Sequence, residues 1–330
     1  MADGDTPADG PSLFGVYLRG ACMGAADAVP GVSGGTIALL TGIYQRLISA
    51  ITAIDPERVL SVLAAPLPGR REEALSAFRE LDGLFLVALG AGILTAVVTV
   101  SRALEAAMHS YPVATFGGFF GLIAASAWLL RTQMRLDSRE TQLAAITGFL
   151  LAFVLSGRAE GALGHSYPVV FLAGSVAVSA MILPGISSSL ILLLLGQYEY
   201  MISQLKEFVD ALLALASGEV ALPPQTATIV TFLAGGVFGL FTISHAVKWA
   251  LSRRRGATMA FLVALVVGAL RAPVEQAGGS LEAGWTAVAV ALFLAAGVVG
   301  AVVVLGIERA AGGDVVASAP PELSPTEWVS

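Results

Sequence analysis

The chain has 330 residues, of which 56% are hydrophobic and 13% charged, and its mean hydropathy is +0.81. Its charges cluster between long uncharged runs, which excludes an ordinary water-soluble domain and is typical of a helical protein that crosses a membrane several times. The single cysteine, Cys22, excludes an internal disulfide, and three scattered histidines form no metal-binding pattern, so we predict no cofactor, no metal and no nucleic-acid partner.

Ten apolar segments are long enough to enter the hydrocarbon core of a bilayer. They cover residues 12–29, 31–54, 82–108, 112–131, 140–156, 167–183, 185–205, 226–250, 257–272 and 285–307. Residues 1–11 and 309–330 are predicted to be polar tails. Most of the 18 basic residues fall in predicted loops on the side of the N-terminus. This bias predicts a multi-pass protein of the cytoplasmic membrane with both termini in the cytoplasm.

Two pairs of these segments are separated only by a Pro-Gly dipeptide. Pro30 and Gly31 divide the first pair, and Pro184 and Gly185 divide the pair formed by segments six and seven. Two residues are too few to join full spans at opposite membrane faces. Each pair is therefore predicted to be a hairpin that either re-enters the membrane or is hinged inside it, with Pro30 and Pro184 as the hinges.

The two Pro-Gly regions are copies of one another. Shifting the sequence by 154 residues lays residues 29–49, the first motif, on residues 183–203, the second motif, and ten of 21 positions are identical. Each half then contains a hairpin of two segments and three further spans. Since five is odd, the second half enters the membrane with the opposite orientation. We predict an all-α fold with an inverted-topology repeat, residues 12–157 and 167–308.

The residues after each Pro-Gly break suit an anion, and above all a phosphate. Glycines expose backbone amides, serine and threonine add hydroxyl donors, and the first turn of a helix carries a partial positive charge. Small residues also allow helices to pack closely without any ligand, which is the alternative interpretation. The candidate phosphate-binding residues in the two motifs are Gly31, Ser33, Gly34, Gly35, Thr36, Gly185, Ser187, Ser188 and Ser189.

Charged residues inside apolar segments are a second signal of function. Arg19 is a further candidate phosphate-binding residue. Arg19 and Arg46 could both guide a phosphate toward the first motif, and Arg46 could equally extend to the membrane surface. Asp27 could carry a coupling proton, pair with an arginine or cap freed amides. Asp27 and Arg46 are therefore candidates for ion coupling, by a proton or sodium, or for gating. Tyr44 and Tyr198 are predicted to be interfacial anchors.

At "RGACMGAADAVPGVSGGTIALLTGIY" and "MILPGISSSLILLLLGQYEY" the sequence resembles the polyprenyl-phosphate transporter family, over about residues 12 to 308. The resemblance implies a flippase that returns undecaprenyl phosphate, or a related polyprenyl or dolichyl phosphate, to the cytoplasmic leaflet for reuse. Carried over by position, its motif residues are Arg19, Gly24, Pro30, Gly31, Ser33, Gly34, Gly35, Thr36, Gly42, Tyr44, Pro184, Gly185, Ser187, Gly196 and Tyr198. Ser188 departs from the glycine expected there, which puts close backbone approach in doubt on that side.

Three other functions remain open at this point. A membrane polyprenyl-diphosphate phosphatase also uses inverted hairpins, but this chain has no arginine beside Ser33, no paired glutamates in the hairpins and no nearby histidine, so we predict no catalytic residue. A transporter of a small soluble anion could use the same residues. A purely structural membrane scaffold would not need Asp27 or Arg19. Glycine-rich runs such as "GGFFG" could also join copies of the chain as a homo-oligomer.

Overall fold

The computed structural model describes residues 12–53, 58, 62, 71–156, 164–180, 187–216 and 223–310. These residues are almost entirely helical and include no strand, which confirms the all-α prediction for this part of the chain. The predicted tail at 1–11, residues 311–330 of the tail predicted over 309–330, and Pro184 and Gly185 lie outside the described residues, whereas residues 309 and 310 belong to the last helix. The helices are α1 Leu13–Ala28, α2 Gly34–Leu40, α3 Tyr44–Thr52, α4 Arg71–Glu80, α5 Gly83–Ser110, α6 Pro112–Leu130, α7 Arg139–Ser156, α8 Tyr167–Ala180, α9 Ser188–Leu194, α10 Tyr198–Ala216, α11 Thr226–Ala269, α12 Arg271–Gly279 and α13 Ala287–Ala310.

Five helical stretches in the described ranges are long and apolar enough to cross a bilayer. They are Gly83–Ser110, Pro112–Gln133, Thr226–Ile243, Trp249–Gly279 and Ala287–Ala310. The last of these, α13, leaves large apolar side chains uncovered by protein, among them Val288 at 78% and Val298 at 64% exposure. A row of such side chains is unfavourable in water and favourable against lipid. The chain is therefore a multi-pass membrane protein.

Some predicted segments differ from the helices observed. The segment predicted over 31–54 consists of two helices, α2 and α3, and that predicted over 185–205 consists of α9 and α10. The prediction of single segments was wrong because hydropathy does not reveal a turn inside an apolar run. Conversely, the loop predicted between 226–250 and 257–272 is helical and belongs to α11. Its only residue with non-helical dihedral angles is Arg254 (φ −143°, ψ 53°).

The turn inside each motif has the same backbone hydrogen bonds in both copies. Gly42 and Gly196 have positive φ, 71° and 64°, as the left-handed residue after a helix C-terminus requires. Each glycine amide donates to the carbonyl three residues earlier, and the following amide donates to the carbonyl five residues earlier. These bonds are Gly42 to Leu39 at 3.1 Å, Ile43 to Ala38 at 3.0 Å, Gly196 to Leu193 at 3.1 Å and Gln197 to Leu192 at 2.9 Å.

Two pairs of helices also pack in the same way, α1 with α5 and α8 with α11. In each pair, glycines bring the two backbones so close that a Cβ atom would collide with the facing carbonyl. The contacts are Gly20 with Leu89 and Gly92 with Tyr17 in the first pair, and Gly174 with Phe232 and Gly235 with Phe171 in the second. The residues correspond at offsets of 154 and 143. The duplication therefore extends beyond the Pro-Gly motifs to helix packing.

The chain forms two compact units. The first contains the described residues up to Ala26 together with Ile37–Val97, and its buried core includes Val16, Ile43 and Phe85. The second contains Asp27–Thr36 and the described residues from Val98 onward. Its larger core includes side chains of α6, α9, α10 and α11. The loop that follows α1 thus belongs to the same unit as the second motif.

Candidate phosphate-binding site

The first Pro-Gly loop, residues 29–33, connects the end of α1 to the start of α2 and packs on α6. Pro30 is fully buried. Gly31 has φ of 93°, and a Cβ atom there would lie 3.0 Å from backbone atoms of Leu122 and Ile123. Both the dihedral and the close approach require glycine at this position. The hinge predicted at Pro30 is therefore held firmly against α6 on one side.

Four carbonyl oxygens in and around this loop accept hydrogen bonds. The Tyr198 hydroxyl donates to the Ala28 carbonyl at 2.7 Å, and the Ser126 hydroxyl donates to the Gly31 carbonyl at 2.6 Å. The other two accept from nearby amides, Val32 to Val29 at 3.3 Å and Thr36 to Ser33 at 3.1 Å. Acceptors freed by the helix break are thus largely occupied by donors from the protein itself.

Asp27 caps the first amide of α2. Its Oδ1 atom accepts a hydrogen bond from the Gly34 amide at 2.8 Å, and the carboxylate fills the space that a Cβ atom on Gly34 would need. Of the three roles that the sequence left open for Asp27, the structure has the cap. The amide of Gly34, a predicted phosphate ligand, is occupied by this carboxylate in the present conformation.

Three donors of the first motif remain without an acceptor in the described part of the chain. They are the hydroxyls of Ser33 and Thr36 and the amide of Gly35, and all three residues are half-buried. A Cβ atom on Gly35 would meet only Ser33 Oγ, at an ordinary 3.6 Å. Packing within the protein therefore accounts for glycine at positions 31 and 34 but not at position 35.

The second motif has a different polar arrangement. The hydroxyls of Ser187 and Ser189 are 2.7 Å apart and bonded to each other, and both residues are buried. Ser188 is half-buried and has no partner among the described residues. Gly185 lies outside the described residues. Ser188 is thus the one serine of the three that has no hydrogen bond to a described side chain.

The two candidate arginines lie in the first unit in different surroundings. Arg46 pairs with Asp82 through two hydrogen bonds, Nε to Oδ2 at 2.6 Å and Nη2 to Oδ1 at 2.9 Å, and its guanidinium lies 4.3 Å from the ring centre of Phe85. Arg46 is therefore engaged with α5 and its preceding turn. Arg19, on α1, is half-buried and has no hydrogen-bond or ion-pair partner in the ranges that the structure describes.

Sequence reasoning missed Ser126 and assigned Tyr198 a wrong role. Tyr198 is 2% exposed, so it does not anchor the protein at the membrane surface. It lies 170 positions from its partner Ala28, a contact that a single sequence does not reveal. The only sequence signals were the position of Tyr198 in the duplicated motif and a serine in the middle of the apolar helix α6. No group of three metal-ligating side chains occurs in the part of the chain that the structure describes.

The sequence profile of one protein family matches residues 23–279, which include both motifs. Its description is VCA0040-like, undecaprenyl phosphate translocase-like. The chain belongs to this family. This translocase-like chain is also similar to two proteins named polyprenyl-phosphate transporter. One is from Vibrio cholerae, with 37% identity over 78% of this chain and 77% of the relative. The other is from Staphylococcus aureus, with 30% identity over 77% of this chain and 83% of the relative.

No solved structure matches this translocase-like chain. The family match confirms the resemblance that the Pro-Gly motifs indicated. The alignments with the two relatives extend over most of the length of each relative. Both are named for transport of a lipid phosphate, and neither name is that of an enzyme.

Proposed function

We propose that this protein is a flippase that moves a polyprenyl phosphate, such as undecaprenyl or dolichyl phosphate, across the cytoplasmic membrane to the inner leaflet for reuse. The family and the names of both relatives support the substrate class. The multi-pass helical structure supports a role in membrane transport. The bias of basic residues supports cytoplasmic termini.

The site assignment depends on a difference between acceptors and donors around the first loop: the acceptors are hydrogen-bonded and several donors are not. The Ala28 and Gly31 carbonyls accept from the hydroxyls of Tyr198 and Ser126, while the Ser33 and Thr36 hydroxyls and the Gly35 amide have no acceptor among the described residues. A surface of free donors favours an anion and disfavours a cation. Since α2 has only seven residues, the individual donors, and not the helix dipole, are what would attract an anion.

In this proposal the phosphate is held by Ser33, Gly35 and Thr36 of the first motif and by Ser188 of the second. Gly185, Ser187 and Ser189 complete the second side after the buried serine pair opens. Gly31 and Pro30 shape the first loop, and the hinge predicted at Pro184 lies outside the described residues. The identical turns at Gly42 and Gly196 and the matching glycine contacts support an inverted repeat of two re-entrant hairpins.

The proposal gives the charged residues distinct roles. Arg19, which has no described partner, is the residue that attracts the phosphate. Asp27 occupies the Gly34 amide until the phosphate arrives, and a coupling proton or sodium ion then neutralises the displaced carboxylate. Arg46 acts as a gate through its pair with Asp82, because opening this part of the first unit requires that pair to break.

A phosphatase is a weaker proposal for the same residues. Hydrolysis needs an acid or base near the phosphate. Neither motif contains a histidine, and neither relative carries the name of an enzyme. A transporter of small anions is the remaining alternative, because free hydroxyl and amide donors alone do not distinguish a lipid phosphate from inorganic phosphate.

Binding of undecaprenyl monophosphate to the purified protein tests the site. We expect Thr36→Val to weaken binding about tenfold, the usual effect of losing a hydrogen bond to a charged group. Thr147→Val is a matched control, since Thr147 is exposed on α7 and its hydroxyl bonds only within that helix. Stronger competition by inorganic phosphate or sulfate than by lipid would favour the small-anion transporter, and release of phosphate would favour the phosphatase.

Transport is tested in vesicles that contain the protein and undecaprenyl phosphate. A phosphatase added outside cleaves only the lipid of the outer leaflet. Protein that flips the lipid exposes the protected inner pool, so the cleaved fraction rises above one half. An unchanged fraction in vesicles with folded protein would contradict the flippase proposal.

A further inference from the structure

We infer that Tyr198 and Ser126 are positioning residues that orient the first Pro-Gly loop for phosphate binding. The inference rests on the function proposed above. It starts from the two hydrogen bonds that these hydroxyls donate across the fold, to Ala28 at 2.7 Å and to Gly31 at 2.6 Å. Neither hydroxyl belongs to the loop, and neither is a proposed phosphate ligand.

The two bonds lie on either side of Pro30. Ala28 is the last residue of α1, so its carbonyl has no helical partner, and Gly31 follows the break. Free carbonyls can turn toward either side of a loop, and a carbonyl that faces a phosphate repels it. Two donors that bind these oxygens keep both carbonyls from turning toward a phosphate held by the amide and hydroxyl donors.

Packing alone does not require these hydroxyls. The Tyr198 ring packs edge-on against Phe119, with 5.8 Å between ring centres, and phenylalanine would keep this contact. Ser126 lies on α6, where a serine without an external partner would bond to its own helix and alanine would serve equally well. The hydroxyls instead reach carbonyls 170 and 95 positions away along the chain.

Tyr198 also connects the two motifs physically. It is the first residue of α10, directly after the turn at Gly196 in the second motif, and its hydroxyl ends on the loop of the first motif. A movement of α10 therefore removes the donor from Ala28. In this way the conformation of the second motif sets the orientation of the first loop.

The experiment compares Tyr198→Phe, Ser126→Ala and the double variant with wild type in binding of undecaprenyl monophosphate and in thermal unfolding in detergent. Tyr167→Phe, at an exposed tyrosine, and Ser156→Ala, whose hydroxyl bonds within α7, are matched controls. We expect each single variant to raise the Kd about tenfold while the controls bind normally. Ser126→Thr keeps a hydroxyl and should restore most of the affinity.

The outcomes separate the two proposals. If wild type binds no lipid phosphate, the proposed function fails. If wild type binds and the single variants bind equally well, the positioning inference is overturned and the proposed function stands. If the variants only lower the unfolding temperature and the folded fraction binds with the wild-type Kd, the hydroxyls are merely structural and the inference is also overturned.

Discussion

The two Pro-Gly motifs have the same backbone turn and different polar surroundings. After each break a seven-residue helix ends at a left-handed glycine, Gly42 or Gly196, with equal hydrogen bonds. In the first motif the Ser33 and Thr36 hydroxyls have no described partner, whereas in the second Ser187 and Ser189 bond to each other and are buried. The two copies therefore share the backbone turn and differ in the hydrogen bonds of their hydroxyl side chains.

The largest expected effect is at the glycine that packs the first loop against α6. Gly31→Ala places a Cβ atom on a residue with positive φ and presses it against backbone atoms of Leu122 and Ile123. The variant should therefore lower the free energy of unfolding by about 3 kcal/mol or more. Chemical unfolding in detergent measures this. Gly118→Ala on α6 is the control, since a Cβ atom there has open space. A loss below about 1 kcal/mol would show that the loop is not held as described.

The equal turns predict equal costs in the two motifs. Gly42→Ala and Gly196→Ala each place a side chain at positive φ, which costs about 1–2 kcal/mol. The same unfolding measurement should give values for the two variants that agree closely. A difference larger than the cost itself would mean that the two turns are not equivalent and would break the comparison.

Asp27→Asn is expected to change stability and binding in opposite directions. The variant loses a charge-assisted hydrogen bond to the Gly34 amide, with a cost of about 1 kcal/mol. It also removes a negative charge beside the proposed phosphate site, so the Kd for undecaprenyl monophosphate should fall several-fold. Weaker binding by a folded variant would instead indicate that Asp27 contacts the ligand or its cation.

The smallest effect on stability should come from Gly35→Ala. A Cβ atom fits at this helical position, and alanine favours a helix over glycine by up to about 1 kcal/mol. If the phosphate approaches the Gly35 amide, the added methyl group should nevertheless weaken lipid binding. A variant that is more stable and binds normally would remove Gly35 from the site.

The sequence alone predicted the long apolar helices, because hydropathy identifies them directly. The run that forms α5 and the one that forms α13 were located to within a few residues, because lipid-facing helices need long uncharged stretches. The turns at Gly42 and Gly196 were missed, since they interrupt the run without changing its hydropathy. The 154-residue offset, found from identities alone, reappears in the contacts of Gly20 and Gly174.

The geometry of the candidate site was predictable only where it depends on neighbouring residues. The break at Pro30 and the donors of Ser33 and Thr36 follow from neighbouring residues. The donors from Tyr198 and Ser126 depend on tertiary structure, and so does the choice of Asp27 among three roles. The pairing of Arg46 with Asp82, 36 positions away, likewise could not be read from the sequence.

The glycine contacts between α1 and α5, and between α8 and α11, have a consequence for movement. At these glycines backbone meets backbone, and beside them side chains also pack across the contact, as Phe171 of α8 does against Phe238 of α11 with 5.4 Å between ring centres. We expect any shear of one helix along the other to stop only where a glycine again faces each carbonyl, because no other residue leaves room for that approach. Larger residues there, as in Gly92→Leu or Gly235→Leu, would collide with the facing carbonyl and push the two helices apart.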